Sequence, residues 1–300
     1  MTKPSFAARL TVALLRLTGF ARKRFSGGAR FHKILAAVRK LKPRTPGRRA
    51  AKRLDIRSET FEGQTVWHIA PRNRAPVARM LFFHGGGYVF PPMSPHFQTW
   101  VNLADRHGIA ITAPLYPLAP EADAMQATGF ALSFYREFSA KHGGAFVMAG
   151  DSAGGGLAAA TAHGARDQGL PAAAALILVC PWLDVTVSHP DQPMIEKRDS
   201  ILMITGAREA GQLYARDLAT NDRRVSPIFG DWDGLPPILC FSGGDDILLT
   251  DARALKALLP SIDYVEGAGL MHDWPIFFFR ESREAQARMA EFSIAKLAPA

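Results

Sequence analysis

The sequence predicts an α/β fold in which a mostly parallel sheet carries helices on both faces. From about residue 79 onward, apolar strand-like segments alternate with helical segments, which is the pattern of repeated strand-helix units. A Gly-x-Ser-x-Gly sequence at residues 150–154 joins an apolar run to an alanine-rich stretch, as a strand-turn-helix unit does. Ser152, a group of aspartates at 245–251 and His272 each follow a predicted strand, where active groups of such sheets are expected.

Length and composition set the first limits. Three hundred residues, 48% of them hydrophobic, suffice for one large α/β domain or two modest ones. Cys180 and Cys240 lie within apolar runs, which predicts buried thiols in a reducing, cytoplasmic compartment and neither a disulfide nor a metal site. No apolar stretch reaches the length of a membrane-spanning helix.

The positive charge of the chain is concentrated at its N-terminus. The formal net charge is +9, whereas residues 1–54 hold sixteen Lys and Arg and no Asp or Glu, so the rest is mildly acidic. No nucleic-acid-binding signature accompanies this segment, and no nucleic-acid partner is expected. Arg-rich, acid-free starts are also typical of transit peptides. However, Arg16 interrupts the apolar run 11–15 and no small-residue cleavage site follows, so the segment is predicted to belong to the mature protein.

Two amphipathic helices and a strand pair are predicted at the start of the chain. The helices are indicated by apolar residues with helical spacing, namely Phe6, Leu10, Ala13, Leu14 and Leu17 in one and Phe31, Ile34, Leu35, Val38 and Leu41 in the other. The stretch 42–47, with two prolines and a glycine, predicts a helix break and a linker. Residues 55–60 and 65–70 predict paired strands around a turn at 62–64.

The remaining chain is predicted to alternate between strands and helices. Strands are expected at residues 79–83, 109–113, 145–149, 173–180, 238–241 and 262–265. Helices are expected near residues 95–107, 123–141, 207–218, 251–259 and 283–297, with a further one beginning at Ala153. Most of residues 185–235 are predicted to be irregular.

The Gly-x-Ser-x-Gly sequence predicts a nucleophile elbow. A serine on a strained turn between strand and helix leaves no room for side chains at Gly150 and Gly154. The helix from Ala153 would point free N–H groups and its positive end at Ser152, where an oxyanion would develop. A glycine-rich turn in an unrelated α/β protein is the alternative, and this motif alone does not separate the two.

A serine hydroxyl is a weak nucleophile near neutral pH, so Ser152 needs a base within hydrogen-bond reach. Only His272 among the nine histidines lies after residue 189, and it follows a predicted strand. The order serine, acid, histidine separates this chain from other serine-triad arrangements. An ordinary loop histidine is the alternative for His272.

The acid is expected between the serine and the histidine. Asp245, Asp246 and Asp251 follow the predicted strand 238–241, and one of them could orient the imidazole and stabilise the imidazolium. Asp251 is predicted to cap the next helix. Spacing alone leaves Asp245 and Asp246 open.

A second glycine motif supplies candidate oxyanion donors. Consecutive glycines after the strand 79–83 allow backbone N–H groups to turn toward a reacting carbonyl, and the candidate donors are Gly85, Gly86, Gly87 and Ala153. A phosphate-binding loop is the alternative, but the chain has no Gly-x-x-x-x-Gly-Lys-Ser/Thr sequence and residues 150–156 do not fit Gly-x-Gly-x-x-Gly. His84 is interpreted as a residue that orients this loop.

Together these motifs resemble the hormone-sensitive-lipase family of α/β-hydrolase esterases, in order and over about residues 55–300. Carried over residue by residue, the resemblance implies Ser152 as nucleophile, His272 as base and Asp246 as acid. The family's acid usually precedes a Pro-Leu-like pair, a place that residues 247–248 fill here. The family's next aspartate normally follows four residues after the acid, whereas Asp251 follows five later, so Asp245 remains the alternative.

The resemblance also implies an organisation and an activity. Residues 1–54, with part of 185–235, would form a helical cap over a catalytic domain spanning 55–300, and residues 181–184 would match a structural position of the family. The implied reaction is hydrolysis of short- to medium-chain acyl esters through an acyl-enzyme, with a small-molecule ester as substrate and neither cofactor nor metal.

Other functions remain open at this stage. Amidase, lactonase or carbamate-hydrolase activity could use the same triad. A non-catalytic ligand receptor on this scaffold would lack a working triad histidine, and His272 argues against it. A third alternative is weak association of residues 1–54 with anionic membranes. The apolar faces of the two N-terminal helices must be buried in a cap or in a membrane interface, and the resemblance favours the cap. A homodimer is also open.

Overall fold

In the computed structural model, which describes residues 3–41, 44–47 and 49–298, eight strands form a single sheet with helices on both faces. The strands are β1 Leu54–Phe61, β2 Gln64–Pro71, β3 Ala78–Phe83, β4 Ile109–Pro114, β5 Val147–Asp151, β6 Ala175–Val179, β7 Ile238–Asp245 and β8 Asp263–Met271. The helices are α1 Phe6–Thr18, α2 Phe20–Arg24, α3 Gly28–Arg39, α4 Ser94–His107, α5 Ala124–His142, α6 Ala153–Asp167, α7 Gln192–Glu196, α8 Ile204–Ala215, α9 Leu249–Leu258 and α10 Arg280–Leu297.

The sheet has the order β1-β2-β4-β3-β5-β6-β7-β8. The contacts β1–β2 and β2–β4 are antiparallel and the other five are parallel. Every residue of β5 and β6 is buried, as expected for central parallel strands covered on both faces. The predicted mostly parallel sheet with helices on both faces is confirmed.

Local sequence fixes the ends of several helices. At the start of α5, the Asp123 carboxylate accepts from the N–H of Gln126 at 3.1 Å, and the Gln126 side chain accepts from the N–H of Asp123 at 3.1 Å. This reciprocal pair satisfies two N–H groups that the helix cannot bond. Gly143 ends the same helix with a left-handed φ of 56°.

Strands β7 and β8 are longer than predicted, and both extensions carry candidate site residues. β7 continues through Gly243 and Gly244 to Asp245, and β8 continues to Met271, so that His272 follows the strand directly. Gly243 pairs with Gly267, and a Cβ at Gly243 would lie 2.6 Å from the carbonyl oxygen of Met271. The glycines at these positions therefore allow the two strands to approach closely.

The prediction that Asp251 caps α9 is wrong. The helix begins at Leu249, with Leu248 as the N-cap residue. The buried Asp251 carboxylate instead accepts from the N–H groups of Leu183 and Asp184, at 2.8 and 2.9 Å. Its role is to hold the loop after β6, and burial raises the pKa of this carboxyl to about 7.

The two N-terminal helices place their apolar faces differently. In α3, Phe31 and Leu35 are buried, and the Phe31 ring lies 6.1 Å from that of Phe90 in an edge-to-face contact. In α1, the predicted apolar face is exposed, and the opposite face packs inward through Ala8, Val12 and Leu15. The expectation that the predicted face of the first helix is buried within the fold is therefore wrong.

The rotation of α1 follows from contacts at the start of the helix. Ser5 caps the helix by accepting from the N–H of Ala8, while its own N–H and hydroxyl donate to the Glu281 carboxylate, at 2.6 and 2.8 Å. These bonds turn the side of Ala8 toward the body, where its small side chain allows close approach.

Of the linker predicted at 42–47, Lys42 and Pro43 lie outside the described residues, and residues 44–47 have no regular secondary structure. Over the described ranges, no helix combines the length and apolarity needed to cross a bilayer.

Candidate active site

Ser152 stands at the junction of β5 and α6 in a strained conformation, with φ 52° and ψ −122°. Its N–H donates to the carbonyl of Val179 at 2.8 Å, which ties the turn to β6. A Cβ at Gly150 would collide with the carbonyl oxygen of Gly154, and a Cβ at Gly154 would collide with that of Phe83. The two glycines are therefore required for this turn to form.

The structure brings Ser152, His272 and Asp246 into one hydrogen-bonded chain. The Nε2 atom of His272 lies 3.0 Å from Ser152 Oγ, and its Nδ1 atom lies 2.8 Å from Asp246 Oδ2. Asp246 Oδ1 accepts from the N–H of Leu248 at 2.8 Å, which fixes the carboxylate. All three side chains are buried. This is the geometry in which an imidazole can accept a proton from serine while a carboxylate holds its tautomer.

Asp245 lies outside this chain. Its carboxylate faces the surface and pairs with Arg198 Nε at 3.0 Å, while Arg16 approaches to 4.0 Å. The residue after it therefore supplies the carboxylate that contacts His272. Alternating side-chain direction along the end of β7 explains why neighbouring aspartates have such different environments.

A second carboxylate, that of Asp273, also faces the histidine. Asp273 Oδ2 lies 3.1 Å from His272 Nε2, close to the position of the serine hydroxyl. Burial raises the pKa of Asp273 to about 7, opposed by the neighbouring imidazole. Burial also lowers the pKa of His272, but the Asp246 and Asp273 carboxylates raise it by more, leaving it well above the ordinary value.

The glycine loop after β3 lies against the elbow. A Cβ at Gly85 would collide with Asp151 Oδ2 and would lie 3.0 Å from the Cβ of Ser152. Gly86 and Gly87 have left-handed φ values of 123° and 63°, which ordinary residues rarely adopt. Between described residues, no hydrogen bond uses the N–H of Gly86, Gly87 or Ala153, so these donors are free to bind an oxyanion.

His84 supports this loop from behind. Its Nδ1 atom donates to the carbonyl of Gly85 at 2.7 Å, and its ring stacks on Tyr116, whose hydroxyl donates to the carbonyl of His84 at 2.8 Å. Burial lowers the pKa of His84 to about 4, so the ring is neutral. These contacts agree with the interpretation of His84 as an orienting residue.

Sequence reasoning missed a buried pair beneath the site. His96 accepts from the N–H of Met93 at its Nδ1 atom, 2.9 Å away, so its Nε2 atom carries the proton. That proton is donated to Asp151 Oδ2 at 3.0 Å. Asp151 precedes the serine within the elbow motif, which marked its position but not its partner. His96 lies on α4, and its sequence position gave no indication of this contact.

Asp199 was also missed. Its buried carboxylate accepts from the N–H of Ile247 at 2.9 Å and from those of Ile201 and Leu202 at 2.8 Å each. It thereby braces the residue after Asp246. Burial raises the pKa of Asp199 to about 7. The residue comes from the irregular stretch 185–235, where no motif points to it.

Within the part of the chain that the structure describes, one group of potential metal-ligating atoms occurs, and it includes His272. Cys180, His272 and Asp273 place one such atom each within 4.8 Å of one another. Burial raises the pKa of the Cys180 thiol well above its ordinary value, so sulfur is held in the form that binds metals poorly. His272 Nε2 is in addition the atom that contacts Ser152. The donor chemistry therefore fits a metal poorly.

The chain is similar to proteins of known classes. Residues 80–275 match the family model described as alpha/beta hydrolase fold. LipR of Mycobacterium tuberculosis, an acetyl-hydrolase by name, is 31% identical over 252 residues that cover 81% of each chain. An acetyl-hydrolase of Streptomyces hygroscopicus is 32% identical over 202 residues, 65% of this chain and 67% of that one. An esterase of Acinetobacter venetianus is 29% identical over 230 residues, 73% and 76% of the two chains.

Solved structures share the fold over nearly the whole length. The crystal structure of EstE5 superposes with a TM-score of 0.86 at 24% identity, covering 99% of this chain and all of that one. That of the hormone-sensitive-lipase homologue EstE7, from a metagenome library, gives a TM-score of 0.83 at 24% identity, with the same coverage.

Proposed function

Because this chain belongs to the α/β-hydrolase fold family, we propose that it hydrolyses carboxylic esters by a serine mechanism centred on Ser152. An esterase- or lipase-type hydrolase activity is the function of its relatives, and the chain is a carboxylesterase- or lipase-like hydrolase. The finer proposal assigns Ser152 as nucleophile, His272 as base and Asp246 as the acid that orients it.

A single observation carries this assignment. One imidazole connects a strained serine to a buried carboxylate, with Nε2 3.0 Å from Ser152 Oγ and Nδ1 2.8 Å from Asp246 Oδ2. The carboxylate holds the proton on Nδ1, which leaves the lone pair of Nε2 directed at the serine hydroxyl. Asp273 competes for the same nitrogen, so His272 accepts the serine proton most readily when that carboxyl is turned away from Nε2.

The steps follow from this arrangement. Ser152 Oγ bonds to the ester carbonyl carbon as its proton passes to His272 Nε2, and the carbonyl oxygen becomes an oxyanion. The N–H groups of Gly86, Gly87 and Ala153 bind that oxygen. His272 then gives its proton to the leaving alcohol, and an acyl-enzyme remains. Water, deprotonated by His272, attacks the acyl carbon and releases the carboxylic acid and Ser152.

The N-terminal segment supports the proposed cap. A cavity of about 690 Å³ adjoins the oxyanion loop at His84, and Arg24, Val38 and Leu41 form part of its wall. The segment is fastened to the insertion after β6 where the Gly28 N–H donates to Glu209 Oε2 at 2.6 Å. The short- to medium-chain preference that we propose rests on the family resemblance and not on this cavity, whose wall includes neither Ser152 nor His272.

Replacing the nucleophile tests the proposal. Ser152→Ala should lower the turnover of p-nitrophenyl esters from acetate to octanoate by roughly 10⁵ to 10⁶, since triad loss removes the covalent route. Ser293→Ala is the matched control, because Ser293 is equally buried but lies in α10. Both variants should show wild-type circular dichroism. A folded Ser152→Ala protein with more than about a tenth of wild-type turnover would refute the serine mechanism.

A further inference from the structure

Helix α1 presents a continuous apolar face to solvent. Phe6 and Leu17 are 73% and 84% exposed, and Leu10 and Leu14 are 47% and 52% exposed. Their spacing places them on one side of the helix, opposite the buried Ala8. Scattered exposed apolar side chains are common, whereas four large ones on one helix face mark an interaction surface.

The charges around this face are basic. Arg9 and Arg16 lie along one flank of the stripe, and the exposed Lys3 and Lys23 lie beyond its two ends. Residues 1–54 contain no Asp or Glu. Among the described residues, the carboxylates that contact α1 or its cap residue lie on the inner side of the helix, where Glu281 binds Ser5 and Asp245 faces Arg16. The outward surface of α1 therefore combines apolar side chains with the positive charges of Lys3 and Arg9, for which the described residues supply no ion pair.

We propose that α1 docks the protein on anionic lipid surfaces, with the helix axis in the membrane plane. Phe6, Leu10, Leu14 and Leu17 enter the boundary between headgroups and acyl chains, and the flanking cations contact anionic headgroups. A helix of 13 residues is about 20 Å long, well short of the roughly 30 Å hydrocarbon core, so it lies on the membrane and does not cross it.

A second copy of this chain fits the same face less well. In an antiparallel two-fold pair of α1 helices, the basic flanks of both copies would lie on the same side of the contact. Lys3 and Arg9 would then face like charges at the edge of an apolar contact. Anionic headgroups neutralise those charges instead. Charge complementarity therefore favours lipid as the occupant.

Docking would also bring the triad edge of the sheet close to the membrane. The start of α1 lies beside the end of β8, since a Cβ at Gly269 would lie 3.4 Å from Pro4 Cγ. At the other end, Arg16 contacts Asp245, the neighbour of Asp246. The helix thus runs beside the strand ends that carry the histidine and the acid, and it would deliver them to esters dissolved in the interface.

Vesicle sedimentation tests the docking separately from catalysis. The α1 variant is a double substitution, Leu14→Ser with Leu17→Ser. The matched control is the double substitution Val77→Ser with Leu258→Ser. The side chains of Val77 and Leu258 are 52% and 53% exposed and lie away from α1. The wild type and the control should bind phosphatidylcholine vesicles with 30% phosphatidylserine, and 0.5 M NaCl should weaken this binding. The affinity of the α1 variant for these vesicles should be at least about tenfold lower than that of the wild type.

Soluble-ester turnover verifies that each variant is folded, because none of the four positions lies in the catalytic machinery. Absence of wild-type binding, or equal binding by the α1 variant and the wild type, would overturn the proposal. So would a dimer in analytical ultracentrifugation that the α1 variant loses while vesicle binding is unchanged, since a second copy would then occupy the face. Because turnover and sedimentation are separate readouts, loss of the serine mechanism would leave this test intact.

Discussion

The sheet edge that carries Ser152 and His272 differs from helix α1 in where its side chains find their partners. Ser152 and His272 are 5% and 3% exposed, and each finds its hydrogen-bond partner within the chain. The four large apolar side chains of α1 find no such cover, and the helix instead buries its smaller face around Ala8. The sequence marks both regions by periodicity and motif, but only the first is completed by the protein itself.

This difference teaches that a motif and an amphipathic pattern carry different information. A strained serine, an imidazole and a carboxylate each demand a specific partner at about 3 Å, so their order along the chain limits where they can meet. An apolar face demands only cover, which the fold, a second chain or a lipid surface can supply. We therefore expect catalysis and association to respond to separate substitutions.

The largest expected effect beyond the nucleophile concerns the acid. Asp246→Asn should lower turnover of soluble esters by about 10³ to 10⁴, because an amide would hold His272 in the wrong tautomer. Asp245→Asn is the matched control, since its carboxylate pairs with Arg198 at the surface, and it should retain most activity. Steady-state kinetics decide between them. If Asp245→Asn lost activity while Asp246→Asn kept it, Asp245 would be the acid and the assignment of Asp246 would be wrong.

The second prediction compares equal residues on the two N-terminal helices. Phe31→Ala in α3 should lower the free energy of unfolding by about 3 to 5 kcal/mol, because a fully buried ring is removed. Phe6→Ala in α1 should change it by about 0.5 kcal/mol or less, because its ring is exposed. Urea unfolding monitored by circular dichroism measures both. Similar losses would mean that α1 packs against the body through its predicted face.

The smallest effect is a shift in pH dependence. His272 must be neutral to act as a base, so activity rises with pH through its pKa, which Asp246 and Asp273 raise. Asp273→Asn removes one of these carboxylates, so the acidic limb of the kcat/KM profile should move to lower pH. The Asp245→Asn profile should keep the wild-type limb. A limb that stays in place or moves to higher pH would show that Asp273 does not act on the histidine.

Much of the fold could be predicted because local sequence and architecture agree. The alternation of strands and helices, and the caps of helices such as α5, follow from spacing and from side chains close in sequence. The full lengths of β7 and β8 could not be predicted from the sequence, because glycines such as Gly243, Gly244 and Gly267 are more common in loops than in strands. In the structure these glycines lie where neighbouring atoms leave no room for a Cβ.

The site divides in the same way. Ser152, His272 and the two glycine motifs stand in recognisable sequence contexts, and the structure brings them together. Asp199 and His96 act through contacts with residues far along the chain, which no local pattern records. The orientation of α1 had a similar cause. Its sequence offers two apolar faces, and a distant carboxylate, that of Glu281, fixes which one turns inward.

The separation of chemistry from docking is tested most directly by measuring ester hydrolysis and vesicle sedimentation on the same three proteins. These are the wild type, Ser152→Ala, and the variant with Leu14→Ser and Leu17→Ser. Ser152→Ala should lose hydrolysis and sediment like the wild type, whereas the α1 variant should hydrolyse soluble esters normally and remain in the supernatant. A variant that loses both properties together, or a Ser152→Ala protein that still turns over, would contradict the account.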